Sequence, residues 1–204
     1  MLKAAKRGLA KPVAKKEPVT PSMILDICNR FAGPNANLSD LRLATICVTA
    51  YTAFLRYNEL ASLRCCDVSF CDFLSRFMFT KVKRMFIGMA PTSCWQKQGT
   101  FLALSICFAD AFLLLTDLDL LSSLPFFRSL YFHKATSTYS LRSTGVSYSR
   151  TREIVLQVFV ELRYPKNLFG LHSLRAGGAS ANASVGDRLF KRHGRLKTVI
   201  SRTN

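Results

Sequence analysis

The sequence predicts an α+β fold, mainly helical with a small β-hairpin or sheet element. Apolar residues recur at three- and four-residue spacing through several segments, the mark of amphipathic helices. One stretch, residues 68–80, is rich in phenylalanine but alternates poorly, and reads as strand or hairpin. At 204 residues the chain is long enough for one domain with a real core.

Taken in order, residues 1–21 contain three prolines and six Lys/Arg with little apolar content, so they form a basic linker or arm. Two uses are open for it: a solvated tail, or a strap along a phosphate backbone. The remaining residues, 22–204, make the folded domain. A helix starts at Ser22 with Met23, Ile24, Ile27 and Phe31 on one face, and Gly33-Pro34-Asn35 ends it. Leu38-Ser39-Asp40 opens a longer helix carrying Leu41, Ala44, Cys47, Val48 and Tyr51. A third helix is expected over 58–64. Residues 116–125 are turn-rich, and 136–145 read as a variable loop. Ser149 is placed to cap a helix that buries Ile154, Val155, Val158, Phe159 and Leu162 and stops before Pro165. Residues 171–183 form another helix, with small residues at Ala176-Gly177-Gly178-Ala179, and 187–191 a last basic one.

Charge narrows the function. There are 29 Lys+Arg against 12 Asp+Glu, a net +17, in a chain that is 49% apolar. That apolar fraction excludes a disordered polybasic tail, and the charge is unlike that of an ordinary metabolic enzyme. A folded, strongly cationic domain binds a polyanion, either nucleic acid or an anionic membrane surface. The most apolar segment, 101–115, includes Asp110 and falls short of the roughly 20 residues a membrane span needs. Lys3, Lys6 and Arg7 are followed by more charge, not by the apolar run of a secretory signal. A nuclear or otherwise intracellular location is expected, with no membrane partner. Seven cysteines without C-x-x-C spacing, and only three histidines, assemble no zinc signature, so no metal and no cofactor are expected. Reduced thiols are the plain reading.

Three cationic places are candidates for chemistry. Arg56 stands in L-R-Y-N-E-L-A-S-L-R with Glu59 three residues later. His172 and Arg175 stand in G-L-H-S-L-R-A-G-G-A, at i and i+3 on a helix, where imidazole and guanidinium can converge on one anion. His193 stands in L-F-K-R-H-G-R-L-K. Each also has a bland reading: a surface arginine paired with Glu59, an ordinary helix surface, and a solvated basic patch.

Together, in this order and with these flanks, the blocks resemble the catalytic domain of tyrosine recombinases, the phage-integrase family. They look closest to the integrase-like proteins of eukaryotic mobile elements. The resemblance covers roughly residues 18–70 and 117–197. It implies DNA integration or recombination, in which a tyrosine attacks a phosphodiester and conserves its energy as a phosphotyrosyl bond. Two arginines clamp the non-bridging oxygens of the charged transition state. By resemblance Arg56 and Arg175 are those clamps, His172 assists proton transfer, His193 donates a further hydrogen bond, and Glu59 supports from behind. Lys15, Lys16, Lys191, Arg192, Arg195 and Lys197 are expected to contact double-stranded DNA, and a homo-oligomer could assemble on it. Residues 1–21 look like the end of the linker from the family's N-terminal clamp domain.

The chain departs from the family twice. The nucleophilic tyrosine is expected about a dozen residues after His193, which is position 205, and no tyrosine follows Tyr164. One base change turns a tyrosine codon into a stop, so conversion of that codon is the expectation. The family's hairpin lysine, in a motif of the form S-K-T-D-x-x-R-x-G, is also missing from 80–111. Codons one base earlier from Lys81 permit K-S-K-T-D-V-Y-R-D-G, with Met85 forcing valine, Met89 glycine and Trp95 alanine. Two compensating frameshifts bracketing residues 80 to about 112 are therefore expected, which makes this anomalous segment the least regular part of the chain. Lys81 and Lys83 are the nearby candidates to replace the lysine. The expected function is a tyrosine-recombinase-like DNA-binding domain, catalytically inactive in this chain. The alternatives are a co-opted, non-catalytic DNA-binding module or a non-functional mobile-element relic. A basic protein held at membranes by 101–115 is a more remote class.

Overall fold

The computed structural model describes residues 15–33, 35–67, 70–71, 76–79, 85–88 and 123–183. Five α-helices and five strands are present among them. Helix α1 (Pro21–Phe31) starts one residue before the expected Ser22, with Pro21 in its first turn and the Thr20 hydroxyl accepting from the Met23 N–H at 3.3 Å. A proline costs nothing there, because its missing N–H has no partner in the first turn. Its expected face of Met23, Ile24, Ile27 and Phe31 is buried, together with Cys28.

Helix α2 (Leu38–Thr52) is capped by Asn37, whose side-chain oxygen accepts from the Asp40 N–H at 3.0 Å. Every residue from Leu41 to Tyr51 is buried, so α2 is the central helix and is enclosed on all sides. A helix in that position loses the one-sided pattern of a surface helix, and its polar members need internal partners. The Thr45 hydroxyl donates to the Leu41 carbonyl at 2.7 Å, and the Arg42 guanidinium to the Arg128 carbonyl at 2.9 Å. Helices α1 and α2 pack together, and α2 also packs on α5 (Leu171–Ala183).

The third helix is shorter than the expected 58–64. Helix α3 covers Tyr57–Ala61, and a separate 3-10 turn follows at Cys65–Asp67. The break has a cause. Leu63 and Cys65 turn their backbones to the chain at 124–126, with Cys65 N–H donating to the Leu124 carbonyl at 3.0 Å and Phe126 N–H to the Leu63 carbonyl at 2.8 Å. Those groups cannot also serve a helix.

The strands fall into two antiparallel sheets. In the expected strand region, β1 (Phe70–Cys71), β2 (Arg76–Phe79) and β3 (Met85–Gly88) pair in that order, with Phe77 opposite both Phe70 and Ile87. β3 is regular structure inside the segment expected to be anomalous; the rest of 80–112, with Lys81 and Lys83, and the whole of 101–115 lie outside the described residues.

The expected loop at 136–145 is a strand instead. β4 (Arg128–His133) and β5 (Thr138–Gly145) form a hairpin with Tyr131 opposite Ser140 and His133 opposite Thr138. The sequence shows little apolar alternation because most of the ribbon faces water on both sides. Helix α4 (Tyr148–Glu161) begins at Ser147, not Ser149: the Ser147 hydroxyl accepts from the Arg150 N–H at 3.3 Å. It buries Val155, Val158 and Phe159 as expected, while Ile154 and Leu162 are half-buried. Helix α5 has the expected bounds.

Residues 16–20 are not a free linker. Glu17 N–H donates to the Leu168 carbonyl at 2.8 Å, Val19 N–H to the Ser173 carbonyl at 3.0 Å, and Val19 is buried. The paired glycines of α5 permit this closeness: a Cβ on Gly177 would collide with the Val19 backbone, and one on Gly178 with the Tyr51 carbonyl oxygen and the Phe54 ring. Glycine is required here for space, not for flexibility.

Candidate functional site

The site is assembled where α2 ends, α3 begins and α5 crosses them. Helix α2 stops at Ala53, and Phe54 follows with φ 51°, in the left-handed region that a bulky residue avoids. Its ring is buried, which holds it in place. That conformation points the Phe54 carbonyl at α5, where it accepts a hydrogen bond from Arg175 Nη1.

Arg56 is the N-cap of α3. Its own N–H donates to Glu59 Oε2 at 2.8 Å, the acidic half of a capping box. The same Glu59 oxygen lies 3.6 Å from Arg175 Nη1. One carboxylate therefore fastens the backbone of Arg56 to the guanidinium of Arg175, across a sequence separation of 175 − 56 = 119 residues. The expected alternative, a simple side-chain pair of Arg56 with Glu59, is not the arrangement found: Glu59 holds the backbone of the first arginine and the side chain of the second. The Arg56 residue is exposed, whereas the Arg175 and Glu59 side chains are 18% and 26% exposed.

Arg56 and Tyr57 line a small cleft with Ile46, Leu60, Thr151 and Leu171. Tyr57 donates its hydroxyl to the Val146 carbonyl at 2.9 Å and meets the Tyr148 ring edge-on at 5.0 Å. His172, next to Leu171, is exposed in the first turn of α5. Its expected helix partner Arg175 is half-buried, so the two residues share a helix without sharing exposure. The turn is set by Ser173, whose hydroxyl accepts from the Gly170 N–H at 3.1 Å.

No family model matches the chain, and no curated protein matches it. What can be said of the site therefore rests on its own geometry. Arg56, Glu59 and Arg175 come together. Lys16 donates its ammonium to the Asn167 carbonyl, so the basic strap is tied to the loop that leads into α5, and Lys15 beside it is exposed. His193, Lys191, Arg192, Arg195 and Lys197 lie outside the described residues. Among the described residues no group of three or more His, Cys, Asp or Glu could hold a metal ion, and no helix is long and apolar enough to cross a membrane.

Sequence reasoning missed the Phe54 carbonyl and the cleft wall at Thr151 and Tyr57. A left-handed phenylalanine leaves no signal in a sequence. The β4–β5 ribbon was legible in principle: the run S-L-Y-F-H before a K-A-T-S turn and T-Y-S-L after it is the composition of a hairpin.

Proposed function

We propose that this chain is a tyrosine-recombinase-like domain that binds duplex DNA, with Arg56 and Arg175 as phosphate contacts. The observation that carries the reading is Glu59 joining the Arg56 backbone to the Arg175 guanidinium. Two arginines far apart in the chain are held at one helix junction, and a guanidinium anchored from behind by the Phe54 carbonyl is oriented before any anion arrives. Such preorganisation removes part of the ordering cost of binding. The surplus of cations supports attraction to DNA that weakens with salt.

Binding is the activity proposed for these residues, not strand exchange. Strand exchange needs a tyrosine nucleophile, and Tyr57, which lines the cleft, gives its hydroxyl to the Val146 carbonyl. A suicide DNA substrate incubated with the 204-residue chain is expected to yield no phosphotyrosyl adduct; an adduct on Tyr57 overturns that half of the reading. The binding half is tested by titrating labelled duplex at several salt concentrations. Arg56→Ala is expected to weaken binding and lower the salt slope by about one while leaving the unfolding midpoint in place. A wild-type chain that shows no salt-dependent duplex binding overturns it.

A further inference from the structure

The β4–β5 ribbon is a second cationic feature that the arginine junction does not use. Every residue from Tyr131 to Thr138 is exposed, with Tyr131 at 47% and Phe132 at 44%. Near its base Leu141 packs against the Leu41 cluster. The exposed side chains are nevertheless ordered by one another. Arg142 lies over the Tyr131 ring at 5.2 Å, the His133 ring meets Tyr131 edge-on at 4.7 Å, and His133 Nε2 is 2.8 Å from the Ser140 hydroxyl. Phe132 and Tyr139 contact each other at 4.9 Å. Across the ribbon, residues 128–145, there are three Lys/Arg, of which Arg128 is buried, and no Asp or Glu.

We propose that this ribbon is a second DNA-contacting element, entering a groove of the duplex; the inference rests on the DNA-binding reading above. A two-stranded antiparallel ribbon fits the major groove, about 12 Å wide. Lys134 and Arg142 are donors suited to phosphate oxygens, the Thr136 and Thr138 hydroxyls beside them pair with each other at 2.7 Å, and no carboxylate on the ribbon opposes them. The Tyr131 ring fixes the Arg142 guanidinium, so less side-chain freedom is lost on contact. A second copy of this chain is a poorer occupant, because a self-complementary face needs both signs of charge and this one carries a single sign.

The test uses the full chain and labelled duplexes of unrelated sequence, titrated between about 50 and 200 mM salt. The double variant Lys134→Ala/Arg142→Ala is expected to bind all duplexes more weakly, with a salt slope smaller by about two. Tyr131→Ala is expected to weaken binding with the slope nearly unchanged, since it removes a ring and no charge. Wild-type affinity and slope in the double variant overturn the ribbon proposal and leave the junction reading standing. Polyglutamate that displaces the wild-type chain from duplex as well as unlabelled DNA does also overturns it, in favour of an acidic polypeptide partner. Absence of any salt-dependent binding by the wild-type chain removes both readings together.

Discussion

At the arginine junction the Arg175 guanidinium is held by a backbone carbonyl and a half-buried carboxylate, whereas on the β4–β5 ribbon the Arg142 guanidinium rests on an exposed ring. Arg175 reaches its place through Phe54, Glu59 and the glycine contact of α5 with the end of α2. Arg142 needs only Tyr131, on the paired strand of the same hairpin. The difference teaches where a charge is separable from the fold. At the junction, removing Glu59 or the Arg175 guanidinium changes stability and binding together; on the ribbon, binding can be changed alone.

The largest break in that contrast is expected from Gly178→Ala. The new Cβ meets backbone at the Tyr51 carbonyl, which cannot move aside like a flexible side chain. A loss of about 3 kcal/mol is expected, seen as a fall in Tm of about 6–12 °C. An unchanged Tm shows that α5 can shift, and that the junction is less fixed than drawn.

Glu59→Ala comes next. It removes the acceptor for the Arg56 N–H and the carboxylate beside Arg175. The expected cost is about 1–2 kcal/mol in denaturant unfolding. Loss of the negative charge alone raises duplex affinity, so a fall in affinity points to disturbed arginine positions, and improved affinity points to Glu59 as mere repulsion.

High pH probes the core beneath the junction. Complete burial pushes the Cys47 thiol up to about 12, and burial also raises the Tyr51 phenol. Unfolded thiols ionise from about 9, so the unfolded state holds fewer protons above that pH and stability falls. Burial lowers the pKa of the Arg42 guanidinium, but it keeps its proton below pH 10. Between pH 9 and 10 the Cys47 contribution therefore stands clear of Arg42, and Cys47→Ala is expected to flatten the decline in urea midpoint across that window. Equal declines in both proteins rule out Cys47 as the source.

The smallest effect on stability belongs to the ribbon. Lys134→Ala/Arg142→Ala is expected to lie within about 0.5 kcal/mol of wild type, as exposed substitutions do. A loss above 1 kcal/mol shows that the ribbon's cations belong to the fold after all, and the contrast with the junction disappears.

Helices were the most legible part of the sequence, because burial on one side prints a period of 3.6 on the residues. The buried face of α1 and the Val155, Val158 and Phe159 face of α4 follow from it. The second half of the ribbon reads as loop because its wet faces impose no alternation, and only the composition on either side of the turn marks a hairpin. Ser149 and Ser147 offer the same hydroxyl, and only the direction from which the chain enters α4 selects Ser147 as the cap. At the site, Arg56, Glu59 and Arg175 were legible as candidates and the resemblance implied that the two arginines act together, but which group of each Glu59 holds was not legible.

The sequence by itself determined the α+β class, the faces that the surface helices bury, and a surplus of cations with Arg56, Glu59 and Arg175 among the candidates. Only the tertiary structure decided which carboxylate holds which arginine, that the basic strap docks on α5, and that 128–145 stands out as a ribbon. Periodicity records how much water each residue sees, whereas partnership depends on where two distant backbones meet. Here that meeting is set by the Gly177-Gly178 contact and by one left-handed phenylalanine.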